Sequence, residues 1–79
     1  MFTAVPLETL PTGSRARIVY LQTPGRWSQR LIQMGFIPGE VVEVVLNRGA
    51  GPVVVKVMGA TVSLGRGIAR RIIVEPINK

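Results

Sequence analysis

The chain has no cysteine, no histidine and no aspartate. Each absence closes a chemical route. No disulfide can staple the fold, which fits a reducing compartment. No thiolate can attack a substrate or hold a metal. Ser14, Ser28 and Ser63 have no imidazole to act as their base, and no Ser-x-x-Lys pattern occurs. Acid is scarce as well: Glu8, Glu40, Glu43 and Glu75 are the only carboxylate side chains. Glu40 and Glu43 are three apart in a β-type run, so they fall on opposite faces and cannot chelate one ion together. Met34 and Met58 are soft donors of the kind Cu(I) accepts, but filling core space is the ordinary use of methionine. The inventory predicts no catalytic residue, no metal site, no cofactor and no enzymatic role.

Long apolar runs are missing too. Charge-free stretches such as 31–39 fall far short of the ~18–20 apolar residues that cross a bilayer. The opening "MFTAVPLETLP" has no basic segment and is interrupted by Pro6 and Glu8, so no signal peptide is predicted. The expectation is a soluble, cytoplasmic protein with no direct membrane insertion. Its 79 residues form one small domain, 1–79. No internal repeat or linker divides it.

What the chain does have is branched side chains, turns and positive charge. Val and Ile total nineteen against eleven Leu and Ala, and branching at Cβ favours pleated strands. Nine Gly and six Pro supply turns. The formal charge is +6, from eight Arg and two Lys against four Glu, which favours an acidic partner.

The order of elements follows from local pattern. Residues 7–13, "LETLPTG", read as a short helical turn and a reversal. "SRARIVYLQ" then alternates, which predicts a strand over 14–21 with Ala16, Ile18 and Tyr20 facing inward. In "TPGRWSQRLIQMG", Thr23 can cap a helix and Pro24 can occupy its first position, but Gly25 weakens that start. The spacing of Trp27, Leu31 and Met34 predicts a short helix over about 26–34 with one apolar stripe. Gly35 supplies the left-handed stop, Phe36 or Ile37 folds back on the last turn, and Pro38-Gly39 makes a tight turn. Further strands are predicted over 40–47, with Val42, Val44 and Leu46 on one face, over 53–58 and over 61–64. Gly59-Ala60 joins the last two as a II′ hairpin. "GRGIARR" reads as one helical turn before a closing strand over 72–76. It begins like a phosphate-binding G-x-G-x-x-G, but Arg70 stands at the third glycine and no long helix follows. The expected architecture is mostly β: about five strands closing into a small β-barrel, with one short inserted helix and a helical turn before the last strand.

The ordered set of motifs resembles the FeoA family, small cytosolic components of bacterial ferrous iron transport. The resemblance rests on L-x-x-M-G-F-x-P-G over 31–39, the apolar strand after it, G-x-x-x-x-L over 59–64 and I-x-V over 72–74. It covers nearly the whole chain. It implies an SH3-like β-barrel with the helix at about 26–34 as an insertion. It also implies a partner, the membrane transporter FeoB, whose cytosolic portion carries a G domain, and a role exerted by protein–protein contact. The chain departs from the family pattern in "GRGIARR", where two Gly and three Arg replace charged helix formers and an acidic pair. The 47–52 loop also lacks the family's Leu-Gly-Asp hairpin.

If contact is the function, the residues expected to carry it are Arg26, Trp27, Arg30 and Leu31 on the helix, with Arg66 and Arg70 nearer the C-terminus. Gly35, Pro38, Gly39 and Gly59 are expected to shape turns. Two alternatives stand beside this reading. One is a nucleic-acid-binding small β-barrel, supported by the charge but opposed by the lack of aromatics interleaved with the arginines. The other is a free-standing regulatory SH3-like module.

Overall fold

The computed structural model of the chain describes residues 3–77. The aromatic Phe2 and the outermost two positions at each end of the expected 1–79 domain lie outside the described residues. Six strands form one antiparallel sheet: β1 (Val5–Pro6), β2 (Arg15–Leu21), β3 (Val41–Leu46), β4 (Val53–Val57), β5 (Ala60–Leu64) and β6 (Ile72–Pro76). Two helices interrupt them, α1 (Gly25–Gln33) between β2 and β3 and α2 (Arg66–Ala69) between β5 and β6, and a 3-10 turn, Leu7–Thr9, follows β1. The strand order is β1-β6-β2-β3-β4-β5.

The expected closed barrel of about five strands is therefore corrected. Among the described residues there are six strands, and β1 and β5 are the two ends of an open sheet rather than neighbours. The physical reason lies in the segments beside those edges. β1 has only two residues and ends in Pro6, which has no N–H to offer a ladder. The Leu7–Thr9 turn follows one edge strand, α2 follows the other, and Glu8 and Arg66 tie these two segments together with an ion pair of 3.3 Å. Side chains bridge the place where a ladder would have closed the sheet.

One face of the sheet makes the core. Alternation puts Ala16 and Ile18 of β2, Val42 and Val44 of β3, Val53, Val55 and Val57 of β4, Leu64 of β5, and Ile72 and Val74 of β6 on it. Leu7, Leu10, Leu31, Phe36 and Ala69 cover that face. No polar or charged side chain is buried among the described residues, so the core's free energy is hydrophobic burial, about 1.5–3 kcal/mol for each fully buried Val, Leu or Phe.

Two bulges overturn the expected parity at strand ends. Ile18 pairs with Val74 but Tyr20 with the adjacent Ile73, so β2 carries one extra residue there. The slip turns Tyr20 outward, 46% exposed, where strict alternation placed it inward. A second slip in β3, between Val44 and Leu46, leaves Leu46 37% exposed rather than in the core.

Helix α1 begins one residue earlier than expected. Pro24 is its N-cap, with no side-chain cap bond. Thr23 acts instead through Ser28: Ser28 Oγ donates to the Thr23 carbonyl at 3.1 Å and shares a 2.6 Å bond with Thr23 Oγ1. The C-terminus is a Schellman stop. Phe36 N–H donates to Leu31 O at 2.9 Å and Gly35 N–H to Ile32 O at 3.0 Å, with Gly35 at φ +106°. Leu31 and Phe36 then meet in the core. The chain reverses at once through Pro38-Gly39, closed by Glu40 N–H to Ile37 O at 2.9 Å.

The β4–β5 hairpin differs from expectation in a way that can be tested. Its two-residue loop is Met58-Gly59, not Gly59-Ala60, because Val57 pairs with Ala60. Both loop residues have positive φ, +49° and +82°, which makes a type I′ rather than a II′ turn. Met58 is the only described non-glycine residue there. A left-handed conformation costs an ordinary L-residue roughly 1–2 kcal/mol, whereas Asn enters it readily. Met58→Asn is expected to raise the thermal midpoint by several degrees, about 1 kcal/mol. A lowered midpoint in a melting curve would show that the packing of the Met58 side chain outweighs its backbone strain.

Candidate functional site

The six residues expected at a contact surface separate into two groups. Arg26, Trp27 and Arg30 stand together on the exposed side of α1 and line an open depression of about 530 Å³. Positions 26, 27 and 30 share a helix face because three- and four-residue spacings bring side chains together. The Arg30 guanidinium lies 5.5 Å from the centre of the Trp27 ring, a cation–π pairing that holds both side chains in one arrangement. Trp27 is 39% exposed. Neither arginine forms an ion pair among the described residues; the two ion pairs there both use Glu8.

Leu31 shows why this face stays outside. It is the one buried residue of α1, so the helix is anchored to the core through a single side chain plus Phe36 beyond its end. The expected stripe of Trp27, Leu31 and Met34 is not buried as a unit, since Met34 is 39% exposed. Leu31 thus positions the surface and presents nothing on it. Ile32 and Ile37 are exposed too, and Met58 is 64% exposed. A Cβ built on Gly35 would lie 3.2 Å from Met58 Sδ, so the hairpin tip rests on the end of α1. Exposed apolar side chains thus gather around the C-terminal end of α1.

Arg66 and Arg70 are elsewhere and occupied. Arg66 donates from Nε to Gly51 O at 3.0 Å, from Nη1 to the Glu8 carboxylate at 3.3 Å and from Nη2 to Asn47 Oδ1. Arg70 Nε reaches the other Glu8 oxygen at 3.3 Å. Asn47 joins the same network. Its Nδ2 donates to the carbonyls of Glu8 and Leu10, both at 2.8 Å, and its Oδ1 accepts from Gly49 N–H at 3.0 Å. Arg66 is consequently a structural clasp between α2, the 3-10 turn and the 47–52 loop. Sequence reasoning missed Asn47 and Glu8. The Asn-x-Gly spacing at 47–49 was the available signal, since Asn commonly bonds the backbone two residues on.

Two of the three remaining acids stand opposite other cations. Glu43 is the register partner of Arg15 and of Lys56, and Glu75 that of Arg17. Arg17 also donates to the Gly39 carbonyl at 2.9 Å. Neither α1 arginine therefore has an acidic partner among the described residues. Among the described residues, no group of three His, Cys, Asp or Glu could hold a metal ion, and no helix is long and apolar enough to cross a membrane.

The model of the FeoA domain matches residues 5–76. The chain belongs to the FeoA family. A Methanocaldococcus jannaschii protein provisionally named Fe(2+) transport protein A is 40% identical over 47 residues, which is 60% of this chain. The chain spans only 56% of that relative's length. Among solved structures, iron(II) transport protein A of Clostridium thermocellum aligns at 34% identity with a TM-score of 0.84, over 92% of this chain and 46% of that one. A crystal structure of an iron uptake regulatory protein, FeoA, aligns at 28% identity with a TM-score of 0.85, over 95% of this chain and 99% of that one. The FeoA resemblance read from the 31–39 motif and the strands after it is thereby confirmed.

Proposed function

We propose that this FeoA-family chain is a small cytosolic accessory protein of ferrous iron uptake. It acts by contact with the cytosolic part of a FeoB-type membrane transporter and performs no chemistry of its own. Family membership supports the system, and the names of the relatives point to iron transport. The single observation that carries the contact reading is the α1 face. Arg26 and Arg30 flank Trp27 over an open depression, without an ion-pair partner among the described residues. Tryptophan and arginine are the side chains that most often dominate binding energy at protein interfaces. The two charges select a partner surface that is acidic and speed encounter with it.

The contact set proposed is Arg26, Trp27 and Arg30, which the shared α1 face supports. Leu31 contributes through placement, and Arg66 is committed within the molecule. The double substitution of Arg26 and Arg30 by Glu changes the charge by four units on a face that bears no core residue. It is expected to weaken binding to the isolated cytosolic part of the transporter by at least about tenfold, or ~1.4 kcal/mol, with an unchanged melting midpoint. Unaltered binding in calorimetry would remove this face from the interface.

A further inference from the structure

We propose that the outer edge of β5 is a strand-addition site for an extended, acid-bearing segment of the partner engaged by α1. The inference rests on the contact reading above and adds a second point of attachment.

Edge strands usually carry the features that prevent pairing: charge, proline, a bulge or extreme shortness. This sheet distributes them the other way round. The interior strands hold the charges, Arg15 and Arg17 in β2, Glu43 in β3, Lys56 in β4 and Glu75 in β6. β1, one edge, is blunted by its two-residue length and Pro6. β5, the other edge, reads ATVSL, with neither charge nor proline. Its five pairs with β4 run without a register shift.

The hairpin fixes which backbone groups β5 turns outward. In a two-residue loop the closing pair, here Val57 and Ala60, exchanges hydrogen bonds, and bonded and non-bonded pairs then alternate. Val55–Val62 and Val53–Leu64 are therefore bonded pairs. Thr61 and Ser63 fall in the non-bonded pairs, so their N–H and C=O groups point away from β4. Neither residue makes another backbone bond among the described residues, and both are exposed. A segment laid beside them meets two donors and two acceptors in strand register. Val62, which packs against the core, offers an apolar neighbour to alternate side chains.

Size and charge decide between occupants. Two copies paired through β5 would share only the bonds at Thr61 and Ser63, far less than the ~1,200 Å² of a stable interface. Each copy also carries a formal +6. An extended segment of a partner already held at α1 faces neither limit, because its second contact is intramolecular, at an effective concentration in the millimolar range. The turn that leads into β5 touches the end of the helix that carries the first contact, where its Met58 sits against Gly35. The positive charge of the chain favours acidic side chains along the added segment.

The test is amide hydrogen exchange on the full chain, free and bound to the transporter's cytosolic part, together with affinity measurements on Ser63→Lys and Ser63→Pro. The Ser63 N–H points away from β4, so proline there removes an outward donor without deleting a β4 bond, and lysine keeps the backbone intact. At least tenfold slower exchange at Thr61 and Ser63 in the complex, with a tenfold or greater loss of affinity in Ser63→Pro and no loss in Ser63→Lys, whose added cation faces an acid-bearing strand, is the expected result. A complex whose Thr61 and Ser63 exchange is unchanged overturns strand addition and leaves the α1 contact standing. No complex at all overturns both. Protection that grows with chain concentration in the absence of partner would assign the edge to a second copy and overturn the occupant named here.

Discussion

Gly35→Val is expected to lower the thermal midpoint by roughly 10–20 °C, a loss of about 3 kcal/mol. Two causes act together. Gly35 has φ +106°, a region that a residue branched at Cβ enters only with strain. A Cβ there would also lie 3.2 and 3.3 Å from Met58 Sδ and Cγ, so the hairpin tip must retreat. The Schellman bonds from Gly35 and Phe36 depend on this one conformation, and Phe36, fully buried, depends on those bonds for its entry into the core. A chain this small is stable by only about 4–12 kcal/mol, so the loss consumes a large share. The steric part can be isolated. Gly35→Ala in a Met58→Ala background should cost less than Gly35→Ala alone, because neighbouring sites do not add. Thermal unfolding of the parent and the four variants checks both statements, and a midpoint for Gly35→Val within 2–3 °C of the parent would refute the account of this helix stop.

Asn47→Ala is expected to cost about 2–3 kcal/mol in urea unfolding. The side chain donates to two carbonyls, of Glu8 and Leu10, and accepts from Gly49 N–H and Arg66. Alanine would leave the Leu10 carbonyl without its donor, the Glu8 carbonyl with only the 3.4 Å bond from Arg66 Nη1, and one guanidinium nitrogen without its acceptor. The penalty for polar groups left unsatisfied exceeds the modest net worth of each bond. The network also replaces the strand pairing that would have closed the sheet, so its loss should loosen the 3-10 turn, the 47–52 loop and α2 together. A loss below about 0.5 kcal/mol would mean that water substitutes for Asn47 and that the edges are held by the apolar contacts alone.

Much of this molecule is legible in its sequence because local signals agree. The strand alternation of Val42 and Val44, the proline and glycine turn at 38–39 and the glycine stop at 35 each follow from backbone sterics, and each appears in the structure. Legibility fails where one residue is added to a strand. Val19 and Val45 occupy the positions where pairing slips, and nothing in a Val-rich run marks which valine will bulge. Strict alternation therefore puts Tyr20 and Leu46 on the core face, and the bulges take them off it. Closure fails to be legible for a different reason. Whether two edge strands meet is set by side chains distant in sequence, Glu8, Asn47 and Arg66, whose meeting no local pattern encodes. The α1 face was half legible. The spacing of Arg26, Trp27 and Arg30 put them on one helical surface, but the same periodicity placed Trp27 and Met34 in a buried stripe. The short helix has only one side chain, Leu31, within reach of the core.

The central claim is that this FeoA-family chain works through the exposed face of α1 on an acidic protein partner. Titration of the ¹⁵N-labelled chain with the isolated cytosolic part of a FeoB-type transporter tests it most directly. The predicted result is saturable change centred on the Arg26 and Arg30 amides and the Trp27 indole N–H, weakened as salt is raised. The contradicting result is binding that leaves these three signals untouched, or no binding at all.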